Sequence, residues 1–139
     1  MKQLMIIAAI AFLMVACKKE GASDRPGMET IDTTSAVLKY SGSFGSGPYG
    51  TARGDAKVYE QSGKLVLVID NFSVNNGPDL YVYLSREMQP VNFISLGKLR
   101  STSGKQVYDI PGRPDFSQYR FALIHCQQFN HLFGSAELK

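Results

Sequence analysis

The chain has 139 residues, 44% of them apolar and 19% charged, with 8 Phe, 7 Tyr and no Trp. This length suggests one domain and excludes a two-domain enzyme with separate cofactor and substrate halves. The apolar and aromatic content excludes a disordered tail protein, which has too little to bury. Setting Lys2 aside leaves 14 basic against 12 acidic residues, scattered singly apart from Lys18-Lys19. No stripe suits a phosphate backbone, so nucleic acid is not an expected partner.

Residues 1–17 read as an address. Lys2 supplies a positive start, and residues 4–16 then run with no charge and no polar side chain. At about 1.5 Å per residue that run reaches about 20 Å, short of a hydrocarbon core of roughly 30 Å. It fits the apolar part of a secretory signal peptide better than a spanning helix. Val15-Ala16-Cys17 followed by Lys18-Lys19-Glu20 resembles the bacterial lipoprotein processing site, with Met14 where that site usually has Leu. The resemblance implies a diacylglyceryl thioether on the Cys17 sulfur and an acyl chain on its nitrogen, and two chains anchor stably where one does not. The alternative is an ordinary signal peptide that contains a cysteine. The expected setting is the bacterial cell envelope, lipid-anchored through Cys17 to a membrane, and Lys18 is compatible with the outer one. Residues 18–35, with Gly21, Ser23, Pro26 and Gly27, suit a flexible linker.

Residues 36–139 alternate apolar runs with turn residues, the pattern of an antiparallel β-sandwich of about eight short strands. The first is expected over 36–44, closed by Gly45-Ser46-Gly47-Pro48, and the second over 51–60, closed by Gln61-Ser62-Gly63. A third, over 64–70, holds the apolar run Leu65-Val66-Leu67-Val68-Ile69, which predicts a strand covered on both faces. After the turn signal Asn75-Asn76-Gly77-Pro78, a strand over 80–85 sets Leu80, Val82 and Leu84 against Tyr81 and Tyr83. The tyrosines read as amphipathic sheet surface. Strands over 93–99, 105–110, 120–126 and 135–138 complete the set, with helix limited to a turn near Phe116 or Phe129.

With Cys17 lipidated, Cys126 is the one cysteine left, and an unpaired thiol outside the cytoplasm draws notice. Alternation places Cys126 with Ala122 and Ile124, and His125 on the opposite face with Phe121 and Leu123. Cys126 is either a small buried hydrophobe or a redox group shown at a strand end. The second reading needs partial exposure and a thiolate-favouring neighbour, for which Arg120, His125 and His131 are nearest in sequence. Cys126, His125 and His131 are also the candidate cofactor ligands. Their spacing matches no standard zinc pattern, but a Cys with His suits copper or haem iron. A Cys126–His131 hydrolytic dyad lacks an orienter and an oxyanion hole, and no G-x-S-x-G is present.

Gly77-Pro78-Asp79-Leu80-Tyr81-Val82-Tyr83-Leu84-Ser85 resembles the central motif of the DM-thirteen electron-transfer domain family. Residues 120–126, then Phe129 and Ser135-Ala136-Glu137-Leu138, resemble its C-terminal strand pair with a single cysteine. Gly42-Ser43-Phe44, Leu96-Gly97, Leu99 and residues 104–111 fit the same order, so the likeness covers about 36–139. His125 departs from it, since animal members tend to carry Trp there. The resemblance implies an extracytoplasmic electron-transfer role with Cys126 as a bare thiol or as a ligand to a prosthetic group. A single cysteine cannot run a two-thiol cycle alone, so a redox protein partner is expected. Two other readings stand beside it: a non-catalytic module binding a protein or glycan, and a copper- or haem-holding protein.

Overall fold

The computed structural model describes Ile31, Asp32 and residues 34–139. The signal-like segment, Cys17 and most of the expected linker lie outside the described residues. Eight strands follow in chain order: β1 (Val37–Ser46), β2 (Ala52–Gln61), β3 (Lys64–Val74), β4 (Leu80–Ser85), β5 (Ile94–Lys98), β6 (Gln106–Ile110), β7 (Phe121–Cys126) and β8 (His131–Glu137). No helix occurs among the described residues. The expected all-β architecture is therefore present, with every strand pair antiparallel.

The strands run in the order β5-β4-β7-β8-β1-β2-β3-β6. β1 serves both halves of this sheet: it pairs with β2 through Ser43↔Asp55, and its end pairs with β8 from Phe44↔Ala136 to Ser46↔Gly134. Beyond β8, Ser41 and Lys139 exchange both backbone hydrogen bonds at 3.0 Å. The sheet thus folds over along β1 into a nearly closed sandwich. Gly42 permits the fold-over, because a Cβ at that position would run into the backbone carbonyl of Glu137.

The enclosed core takes one face from each strand it uses: Leu65, Leu67 and Ile69 from β3, Val82 and Leu84 from β4, Tyr108 and Ile110 from β6, and Ala122 and Ile124 from β7. Val66 and Val68 are buried on the other face of β3, as its unbroken apolar run predicts. β3 continues past the expected end at Asp70 because a bulge absorbs the polar residues there. The β2–β3 register shifts between Arg53 and Asp55, with Gly54 at φ +119° and Asn71 at φ +49°. The sheet's two edge strands meet through a buried polar cluster. Tyr108 Oη donates to Gln106 Oε1 at 2.6 Å, Gln106 Nε2 donates to the Ser101 carbonyl at 2.7 Å, and the Arg100 amide donates to Tyr108 Oη at 3.1 Å. These bonds satisfy a glutamine that is otherwise costly inside a core and tie β6 to the segment leaving β5.

The two ends of the sandwich differ. The chain enters beside the β2–β3 hairpin, where Gln61 Nε2 donates to Ser35 Oγ at 3.0 Å and to the Asp32 carbonyl at 3.3 Å. The other end carries the loops after β1, β3, β5 and β7, and Cys126 stands at its rim.

The close approach at Gly42 gives a direct test. Gly42→Ala forces β1 and β8 apart and is expected to destabilise the domain by about 1–3 kcal/mol. It lowers the urea midpoint without altering the slope. Gly45→Ala, where nothing lies within 4 Å of the added Cβ, is the nearly neutral control.

Candidate functional site

Alternation along β7 decides what each of its residues meets. Ala122, Ile124 and Cys126 point into the enclosed core. Leu123 turns to the outer face, where it clusters with Tyr83 and Leu132 and is flanked by Tyr81 and Phe121. His125 joins that outer face, directly across from Tyr81 on β4 and Leu132 on β8.

Cys126 is a free cysteine, 1% exposed. The exposed strand-end thiol that a redox role calls for is therefore not what the closed fold presents. The chain does not leave the sheet after Cys126. It reverses in a tight turn over residues 127–130, and β8 begins at His131 rather than at Ser135 as the sequence led us to expect. The Gln127 amide donates to the Asp79 carbonyl at 3.0 Å, which closes the turn against the loop after β3. In that loop Gly77 sits so close to Phe133 and Leu80 that a Cβ would strike both side chains. The rim of the core is thus roofed by two short segments.

His131 is the backbone partner of Cys126, and directly opposed residues share a face of the sheet. Its ring stacks on Tyr49 at 3.6 Å with an interplanar angle of 1°, and Phe129 lies 6.0 Å away. Tyr49 and Phe129 are each 54% exposed, so this aromatic group opens to solvent. Arg120 stands just before the far end of β7, over the Phe121 ring.

His125 is 3% exposed, with its ring 5.6 Å from that of Tyr83. Neither ring nitrogen has a hydrogen-bond partner. Burial holds the imidazole below its usual value of 6.5. The Asn130 side chain approaches and favours the charged form, though without hydrogen-bond geometry, while His131 opposes it. A neutral imidazole still carries one N–H donor, and leaving it unpaired costs about 1–3 kcal/mol. Burial is likewise the main cause that raises the Tyr83 phenol above 10.0, followed by negative charge on Tyr81, Asp79 or Cys126. Tyr83, expected at the sheet surface, is 2% exposed, with the Phe93 ring packed against it in a tilted arrangement at 4.3 Å.

The sheet therefore separates the three candidate ligands. Cys126 and His131 share one face, and His125 occupies the other. Among the described residues no group of three or more His, Cys, Asp or Glu stands close enough to hold a metal. A thiol sealed in the core with one imidazole on its face does not fit a haem or copper site. The structure pairs Cys126 with His131, one of the neighbours its sequence position suggests; what sequence reasoning missed is the stacking of Tyr49 on that histidine. Asn130, at a positive φ of 53° that Asn tolerates, makes the turn that sets His131 opposite Cys126. A second feature is a cleft of about 250 Å³ between Gly77-Pro78-Asp79-Leu80 and residues 98–102. It lies beside Leu80, the β4 partner of Cys126.

A family model described as Electron transfer DM13 matches residues 43–138. No curated protein and no solved structure gives a significant match.

Because the Cys126 sulfur lies among apolar side chains, Cys126→Ser buries a hydroxyl there and is expected to destabilise the domain by about 1–3 kcal/mol. Urea denaturation measures the loss, and Cys126→Ala, which buries no polar atom, is expected to lose less.

Proposed function

The chain belongs to the Electron transfer DM13 family, and we propose that it exchanges electrons through Cys126 as a bare thiol while Cys17 tethers it to a membrane of the cell envelope. The observation that carries this reading is the position of Cys126. It is the only free cysteine among the described residues, and it closes β7 directly beneath the roofed rim. The Cys126–His131 geometry does not suit a prosthetic group, which supports the sulfur itself as the redox atom.

The chemistry is a thiol–disulfide exchange with a partner. The Cys126 sulfur attacks one sulfur of the partner's disulfide, a mixed disulfide forms, and the thiol proton leaves with the displaced partner sulfur. A second, reduced dithiol partner then attacks the Cys126 sulfur and releases the first partner as a dithiol. Its own second thiol displaces Cys126 as it closes to a disulfide, so two electrons pass from the second partner to the first and Cys126 returns as a thiol.

The test uses the full-length protein with glutathione disulfide, read by intact mass. A mixed disulfide on Cys126 is expected in the native state, reversed by dithiothreitol and lost in Cys126→Ala. A thiol that reacts only in denaturant would remove the redox reading and leave a non-catalytic binding module. For the anchor, Cys17→Ser is expected to abolish metabolic labelling with palmitate and release the protein from the membrane fraction.

A further inference from the structure

We infer that the turn over residues 127–130 is an acid-opened cover on Cys126, and that His125 is the group that opens it. The inference stands apart from the redox reading, because the cover opens whether or not the thiol exchanges electrons.

The mechanism follows from where the two neighbours point. His125 is held between Tyr81 of β4 and Leu132 of β8, beneath the turn, with both nitrogens unpartnered. A second proton would place a full charge there, with two N–H donors and only the Asn130 side chain, out of hydrogen-bond geometry, to answer them, an arrangement that a buried site does not sustain. The charged ring must reach water, and the rim is the part of the structure that gives way. β7 pairs with β4 without interruption from Ser85↔Phe121 to Leu80↔Cys126, so that side is firmly laddered. On the β8 side the register shifts between Ile124 and His125, which breaks the regular ladder at the histidine. Beyond it all four turn residues are exposed. They are fastened by the Gln127–Asp79 backbone bond and, through His131, by the Tyr49 stack. Releasing these two contacts, together with the Cys126↔His131 backbone pair that closes the hairpin, lifts residues 127–131 and carries His131 away from Cys126.

The surrounding charges favour this outcome. From β4 the ring meets Tyr81 and Tyr83, with Asp79 ahead of that strand acting on Tyr83. From β8 it meets His131, whose charge opposes its protonation, and from the turn the neutral Asn130. From β5, Lys98 lies 5.9 Å over the Tyr81 ring. The sign is fixed by the depressed value of the closed state. Above 6.5 the ring is neutral open or closed and the cover stays shut. As pH falls below 6.5 toward the lower closed-state value, the open form binds the proton more tightly and gains population.

The experiment follows labelling of Cys126 in the full chain by a dipyridyl disulfide between about pH 8 and about pH 5. Thiols ordinarily react more slowly in acid as the thiolate fraction falls. Here the rate, normalised to the fully unfolded protein at each pH, is expected to climb by up to about tenfold per unit below about pH 6.5. His125→Phe is expected to remove the climb, and His131→Gln to retain it. The same climb in His125→Phe, or none in the native chain, overturns the inference. Should His125→Phe not fold, amide exchange in the native chain decides. Amides of residues 127–132 are expected to lose protection in acid relative to Leu67 of β3, and an unchanged ratio overturns it.

Discussion

The structure depends on one strand doing two jobs. Because β1 pairs with β2 along its first part and with β8 at its end, the eight strands form a single sheet folded back on itself. That closure turns one face of each half inward and gives the chain an interior to fill. It depends in turn on a close backbone approach at Gly42, where any side chain would meet Glu137. Once the sheet is closed, Cys126 has no choice of environment. It lies on the inward face of β7 at the last position before the chain reverses.

From that constraint come the two characters of β7. Its inward face delivers a thiol into an apolar core, and its outward face delivers a histidine into an aromatic cluster. Adjacent residues on one strand thus carry the only free cysteine among the described residues and a buried imidazole without partners. The first is chemically silent while covered. The second is stable only while neutral. Both depend on the same short turn remaining in place.

Much of the fold is legible in the residues. The run Leu65-Val66-Leu67-Val68-Ile69 announces a strand covered on both faces, and the alternation in 80–85 and 120–126 assigns each side chain to the correct face. The opposition of His125 to Cys126 is also there to be read. What escapes is longer-range. β3 outlasts Asp70 because Asn71 and Phe72 bulge opposite Gly54 on a different strand, whose missing side chain leaves them room. β8 begins at His131 because Asn130 turns the chain at once, and nothing local distinguishes that turn from a longer loop. The residues leave Cys126 either buried or shown at a strand end, and longer-range contacts decide for its burial. It is produced by Gly77 packing on Phe133 and Leu80, and by the bond from Gln127 to Asp79, contacts between segments far apart in sequence.

If Cys126 exchanges electrons, it is reached through a small opening of the rim, not through loss of the whole sandwich. Labelling of the native thiol at increasing urea, well below the unfolding midpoint, separates these cases. A local opening predicts a rate that barely changes with urea until global unfolding takes over, since little surface is exposed when the turn lifts. A rate that rises from the first addition of urea, with the full slope of equilibrium unfolding, would contradict the account and leave Cys126 a purely structural core residue.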